Sequence, residues 1–189
     1  MCIGDSIQSA IRLTRLMEML EHRAQIDGLT GLWNRAHFDR RLEAELAEMK
    51  RRETPMSLVM CDLDHFKKLN DSFGHPAGDA VLETFASLIT QEIRVNDIAC
   101  RYGGEEFTLI LPRTAVAEAV GVCERIRKAL FARTFRKYPE MQATASFGVT
   151  GMPVDGATDP AAGLEGADNA LYSAEEGGRD RVHGYGAAG

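Results

Sequence analysis

Two short acidic segments hold the residues best suited to chemistry. The first is MCDLDHFKKLND, residues 60–71, where Asp62 and Asp64 end an apolar run and Lys67 and Lys68 follow. In a strand, residues two apart point to the same face, so the two aspartates share one side. Carboxylates at the end of a buried strand suit a hard divalent cation such as Mg2+. Lysines close behind them suit phosphate, and the combination is what nucleotide chemistry requires. A plain polar strand terminus is the competing reading. The second segment is RYGGEEFTLI, residues 101–110. Its two glycines predict a tight hairpin in which glycine supplies the positive φ of the turn. Glu105 and Glu106 then open the second strand, and side chains of adjacent strand residues point to opposite faces, so the two acids have different geometry. A solvated hairpin end blunted by acids is the alternative.

These acids need a scaffold, and the hydrophobic pattern supplies one. Apolar positions at helical spacing predict helices over residues 36–52, 79–93 and 114–131. Asp159-Pro160 offers an N-cap and a first-turn proline for a last helix to about residue 175. Strands are predicted at residues 56–64, 98–102, 107–112 and 143–151. Strands mixed with helices, including one hairpin, indicate an α/β sandwich with a central mixed β-sheet flanked by helices. The pattern predicts a further helix over residues 6–26, in which Ala10, Leu13, Met17, Leu20 and Ala24 recur in steps of three and four. That spacing fits either a coiled-coil signalling stalk or an amphipathic helix lying on its own domain. The expected organisation is a stalk over residues 1–26, one domain over 27–183 and a disordered tail over 184–189.

Composition narrows the class. The chain is 44% hydrophobic and 26% charged, ordinary for a globular protein. Its length of 189 residues buries enough surface to fold without disulfides or structural metal. Cys2, Cys61, Cys100 and Cys123 lack metal-ligand spacing and are expected to be reduced thiols of a cytoplasmic protein. A net charge of −6 argues against a nucleic-acid polymer as partner. No apolar run approaches the roughly 18 residues of a membrane span, so no direct membrane insertion is expected, and no signal peptide is visible.

The RYGGEEF segment resembles the signature of GGDEF domains, the bacterial diguanylate cyclase family, in its GGEEF form. The resemblance extends to DGLTGLWNR (27–35), DLDHFKKLND (62–71), GHPAGD (74–79), SFGVT (146–150) and ALYSAEEGGRD (170–180), in the family's order and spacing. It implies a fold like nucleotidyl cyclases and polymerase palms. It also implies that two GTP molecules, one on each domain of a homodimer, condense to cyclic di-GMP with loss of two pyrophosphates. By the same resemblance Asp62, Glu105 and the Leu63 carbonyl match ligands of Mg2+ (or Mn2+), and Glu106 a further metal or proton-handling group. Asn70 and Asp79 match the pair that reads the guanine edge; the alternative for them is turn and N-cap chemistry, because Asp79 is expected to open a helix. Phe66 and Lys67 match the phosphate side, and Arg179 an arginine that contacts the phosphates.

Arg94 and Asp97 form R-x-x-D at the spacing of the family's inhibitory product site, and Arg125 matches an additional arginine there. A surface ion pair at a helix end is the alternative. One departure affects activity. Relatives usually carry A-K-x-x-G-R-N in the closing turn, whereas this chain reads A-E-E-G-G-R-D at residues 174–180. Glu175 therefore stands where a phosphate-binding lysine is expected, unless its side chain turns to solvent. Two functions follow: an active, product-inhibited cyclase, or a weak or inactive domain that senses GTP or cyclic di-GMP.

Overall fold

The apolar run that begins at Met56 becomes a strand buried on both faces, and the other elements are arranged around it. The computed structural model describes Gln8, residues 25–152 and residues 159–185. In chain order the elements are β1 (Trp33–Asn34), α1 (Arg35–Arg52), β2 (Met56–Leu63), α2 (Phe66–Phe73), α3 (His75–Glu92), β3 (Ile98–Arg101), β4 (Glu106–Pro112), α4 (Val116–Phe131), β5 (Ala145–Met152), α5 (Pro160–Glu176) and β6 (Val182–Tyr185). The strands form one sheet in the order β1-β3-β4-β2-β5-β6. Its central pairs are antiparallel, and the outer pairs β1–β3 and β5–β6 are parallel. This is the mixed, helix-flanked sheet that the alternation of patterns predicts.

Two-residue periodicity divides the core. Val59, Cys61, Leu63, Phe107, Leu109, Phe147 and Val149 pack with buried residues of α3 and α4 on one face. Leu58, Met60, Cys100 and Ile110 pack with buried residues of α1 and α5 on the other. Because both faces are covered, β2 reads as a continuous apolar run rather than an alternating one. Local signals set the helix ends. The Asn34 side chain accepts from His37 N–H at the start of α1. Asp159 accepts from Ala161 N–H at 3.1 Å, with Pro160 opening α5, as the sequence predicts.

Several expectations need correction. α3 begins at His75 rather than at residue 79, because Gly74 at φ +85° turns the chain and Pro76 sits in the first turn. Asp79 therefore lies inside the helix and does not cap it. The segment after the aspartates is itself a helix, α2, which no long apolar period announced. β1 and β6 were not anticipated: they are short, and their pairing comes from β3 and β5. Gly184 and Tyr185 belong to β6, so the expected disordered tail over 184–189 does not start at residue 184. The stalk expected over residues 1–26 lies almost entirely outside the described residues. Among those described, no helix is long and apolar enough to cross a membrane. Cys61, Cys100 and Cys123 are free and buried.

Gly148, in the SFGVT strand, marks the closest approach of helix to sheet. A Cβ there would meet Leu171 N at 2.1 Å and Ala167 O at 2.2 Å, both backbone atoms of α5. Backbone cannot rotate away, so the helix must lift off the sheet to admit a methyl group. Gly148→Ala should lower the thermal midpoint by about 5 °C or more, measured by circular dichroism. A shift within 1–2 °C, roughly the effect of a neutral surface change, would contradict this packing.

Candidate active site

Asp62 is the penultimate residue of β2, directly opposite Glu106 of β4 in the antiparallel register. Directly opposed residues share a face, so these two carboxylates stand side by side. Glu105 precedes β4, and its carbonyl accepts from Leu63 N–H at 3.3 Å, which folds the hairpin loop over the end of β2. The alternation that separates adjacent strand residues therefore does not separate Glu105 from Glu106, since Glu105 lies in the turn. Both press on Asp62. Burial, then the charges of Glu105, Glu175, Glu106 and Asp64, push the Asp62 carboxyl from its ordinary 3.8 up to about 7. Among the described residues, no three His, Cys, Asp or Glu side chains already form a group that could hold a metal ion. The donor chemistry nevertheless fits Mg2+ or Mn2+: these are hard oxygens under mutual repulsion, and Mg2+ is usually held by one or two carboxylates plus water and substrate phosphates.

The hairpin glycines serve a different purpose from the expected one. Positive φ among the described glycines occurs at Gly31, Gly74 and Gly178, and not at Gly103 or Gly104. A Cβ at Gly103 would lie 2.4 Å from Glu106 Oε2, whereas Gly104 has no atom within 4 Å of its Cβ position. Gly103 makes room for a carboxylate, and Gly104 leaves open space at the mouth of the site. The loop is held by Arg101, whose guanidinium donates to the Gly104 carbonyl at 2.8 and 3.0 Å and to the Asp27 carboxylate at 3.2 and 3.3 Å. Burial raises the Asp27 carboxyl, but the bonds from Thr30 and Arg101 outweigh it and hold the group below its ordinary value. The DGLT turn and the signature loop are thus one unit. Sequence reasoning missed this clamp, although both residues lie inside the quoted motifs.

Asn70, on α2, abuts α3. Its Oδ1 is buried and has no hydrogen-bond partner. A Cβ at Gly78 would lie 2.0 Å from that oxygen, so only glycine admits the amide here. Asp79 follows immediately and is exposed. An orphaned acceptor beside an exposed carboxylate suits a donor edge such as N1–H and N2–H2 of guanine. Phe66 and the exposed Lys67 open α2, whose N-cap, His65 at φ +54°, gives no side-chain bond to the helix end. That leaves backbone N–H groups directed at the site, a fit for phosphate.

The closing turn after α5 completes the site. Glu175, in the last turn of α5, is half-buried: burial raises its carboxyl, Arg179 opposes this, and Asp64, Asp168 and Glu106 add to the rise. Asp64 is 8% exposed, and its carboxylate is committed to internal bonds. Thr144 and Ser146 hydroxyls each donate to it at 2.7 Å, and Asp180 N–H donates at 3.0 Å. The two aspartates of the strand end, which the sequence groups together, therefore differ: Asp64 is satisfied by three donors and Asp62 is crowded by like charge.

Arg94, Asp97 and Arg125 lie apart from these acids but together around a cavity of about 310 Å3, also lined by Glu92, Thr114 and Glu118. Asp97 accepts from Arg94 N–H at 2.7 Å, while Arg125 is held by Glu92 at 2.7 Å and by the Gly121 carbonyl at 3.3 Å. Burial raises the Asp97 carboxyl against the pull of Arg94.

The Asp62 shift has a measurable consequence for stability. Its folded value of about 7 exceeds the unfolded 3.8, so this group's contribution is complete below pH 3.8 and is lost as the pH rises through 7. Removing the charge should therefore stabilise the metal-free protein. Asp62→Asn should raise the thermal midpoint in EDTA at pH 8 by about 3 °C or more, and the gain should fade as the pH falls from 7 toward 4. A lower midpoint at pH 8 would show that the Asp62 charge is not penalised.

Residues 24–181 match the family model described as "Diguanylate cyclase, GGDEF domain". The chain is 41% identical over 167 residues to diguanylate cyclase DgcP of Pseudomonas aeruginosa, covering 88% of this chain and 25% of that protein. It is 38% identical over 175 residues to the response regulator PleD of Caulobacter vibrioides, covering 89% of this chain and 38% of that protein. The chain thus spans well under half the length of these curated relatives. Among solved structures, the coiled coil and GGDEF domain of DgcB from Caulobacter crescentus, in complex with c-di-GMP, superposes with a TM-score of 0.89. Identity to it is 35%, and 97% of each chain is covered. An active GGEEF domain of a diguanylate cyclase from Vibrio cholerae gives a TM-score of 0.77 at 34% identity, covering 82% of this chain and 98% of that one. This chain belongs to the GGDEF domain family, the family of diguanylate cyclases.

Proposed function

We propose that this domain condenses GTP to cyclic di-GMP as one half of a homodimeric reaction centre in the cytoplasm. The observation that carries this reading is the convergence of Glu105 and Glu106 on Asp62 at the end of β2. Each ribose 3′-oxygen forms a bond to the α-phosphorus of the other GTP. The bond from that phosphorus to the β-phosphate oxygen breaks, and pyrophosphate leaves. Asp62, the Leu63 carbonyl, Glu105 and Glu106 would hold a Mg2+ (or Mn2+) ion, which supplies charge neutralisation at the phosphates. Glu106, exposed at the strand end, is also placed to accept the hydroxyl proton. Asn70 and Asp79 hold the guanine edge. Phe66 and Lys67 at the head of α2, with Arg179 from the closing turn, hold the phosphates.

We assign Arg94, Asp97 and Arg125 to binding of the product as a feedback inhibitor. Guanidinium groups suit both phosphate and the faces of guanine. The c-di-GMP complex of the DgcB domain is consistent with a product site in this family.

One observation favours a second reading, a weak cyclase or a nucleotide sensor. Glu175 faces the acids around Asp62 and adds negative charge where an anionic triphosphate must bind. Incubation with GTP and Mg2+ across a range of protein concentrations, with products separated by chromatography, distinguishes the two. A cyclase yields cyclic di-GMP and pyrophosphate at a specific rate that rises with concentration, as a dimer requires; a sensor binds nucleotide and releases no pyrophosphate. Glu105→Ala should abolish turnover, by about 100-fold or more, while leaving cyclic di-GMP binding intact. Retained turnover would remove Glu105 from the metal site. Glu175→Lys should lower the GTP concentration for half-maximal rate by about two- to tenfold; an unchanged value would mean that this side chain does not sense the phosphates.

A further inference from the structure

Arg179 sits on a turn that is unfavourable on its own. Gly178, Arg179 and Asp180 all have positive φ, +115°, +63° and +46°. Glycine tolerates this, but an arginine there holds a sparsely populated, strained backbone conformation. Such a conformation persists only where the surroundings over-determine it. Here the supports are all visible. Arg179 N–H donates to the Ala174 carbonyl at 3.1 Å, and Phe147 N–H donates to the Arg181 carbonyl at 2.9 Å. Between these, Asp180 N–H donates to Asp64 Oδ2 at 3.0 Å. The Asp180 carboxylate is in turn paired with Arg127 of α4 at 2.8 Å, and Arg127 is fixed by Glu124 at 3.0 Å.

We propose that Asp64 is a positioning residue. It does not touch the nucleotide; it locks the closing turn so that the Arg179 guanidinium is aimed at the phosphates, and the Asp180–Arg127 pair ties the other side of that turn to α4. Asp64 suits this task because both of its oxygens are already occupied. Ser146 donates to Oδ1, and Thr144 and Asp180 donate to Oδ2. The three donors come from β5, its approach and the closing turn, so a single buried carboxylate joins the end of β2 to the turn. An amide of the same shape is neutral and offers one acceptor oxygen in place of two, so the bonds that hold Ser146, Thr144 and Asp180 N–H are weakened or lost. The assignment also gives Asp180 a role of its own. Its carboxylate forms an ion pair with Arg127.

This inference rests on the nucleotide-condensing reading, and its test separates the two. Binding of a non-hydrolysable GTP analogue in Mg2+ is measured by calorimetry, alongside cyclase kinetics, for wild type, Asp64→Asn, Arg179→Ala and the double variant. Asp64→Asn should raise the KM for GTP and the analogue Kd about tenfold with kcat reduced less than about threefold. In the double variant the Kd should stay within about twofold of Arg179→Ala alone, because Asp64 acts through Arg179. Additive losses would overturn the proposal, as would unchanged affinity in Asp64→Asn. Should Asp64→Asn fail to fold, Arg127→Gln, which loosens the same turn from the partly exposed side, should show the same non-additivity with a smaller rise. If the wild type itself neither binds the analogue nor makes cyclic di-GMP, the condensing reading fails, and this inference with it. If it binds and the cycle is additive, only the positioning role fails.

Discussion

The structure is organised around a concentration of negative charge that it does not itself neutralise. Asp62 is partly buried at the end of the central strand, with Glu105, Glu106, Glu175 and Asp64 all raising its proton affinity. A fold optimised for stability alone would not gather carboxylates in this way, because each buried charge needs a partner to offset its desolvation. A cation in the site would offset that cost, and the donor set, all hard carboxylate oxygens, fits a divalent ion. Stability surrendered at one spot for binding at that spot is the usual relation between active sites and folds.

The remaining polar interactions hold these acids in place. Arg101 joins the hairpin loop to the first turn of the domain through Asp27 and the Gly104 carbonyl. Asp64 joins the end of β2 to β5 and to the closing turn. Each of these charges is satisfied by several partners, unlike Asp62. The contrast between a frustrated carboxylate and a saturated one two residues away marks Asp62 as the candidate site residue and Asp64 as a support.

Glu175 introduces a tension into this arrangement. Its carboxylate feels the charges of Asp64, Asp168 and Glu106, opposed by Arg179 alone among the charges that act on it. Glu175 lies in the last turn of α5 and Arg179 in the turn that follows, so opposite charges meet beside the acids of the strand end. The Arg94–Asp97–Arg125 cavity is separate from this tension, built on the loop before β3 and on α4.

Much of the domain was legible from residue pattern. The apolar run of β2, the helical stripes of α1 and α4, the Asp159-Pro160 start of α5 and the alternation of helix and strand all came from local rules that need no partner. Motif order pointed to Asp62, Glu105, Asn70 and Arg94 by position alone. Tertiary structure decided the rest, because those properties belong to pairs of distant segments. β1 and β6 exist only through their neighbours in the sheet. Gly103 and Gly148 are glycines for the space that Glu106 and α5 require, which no turn rule reveals. Asp62 and Asp64 look alike in the chain, and only packing against Thr144, Ser146 and Asp180 makes one a support and leaves the other exposed to its neighbours' charge. Amino-acid order determined which chemical groups are available; burial and long-range contact, which set solvation and hydrogen-bond supply, determined what each of them does.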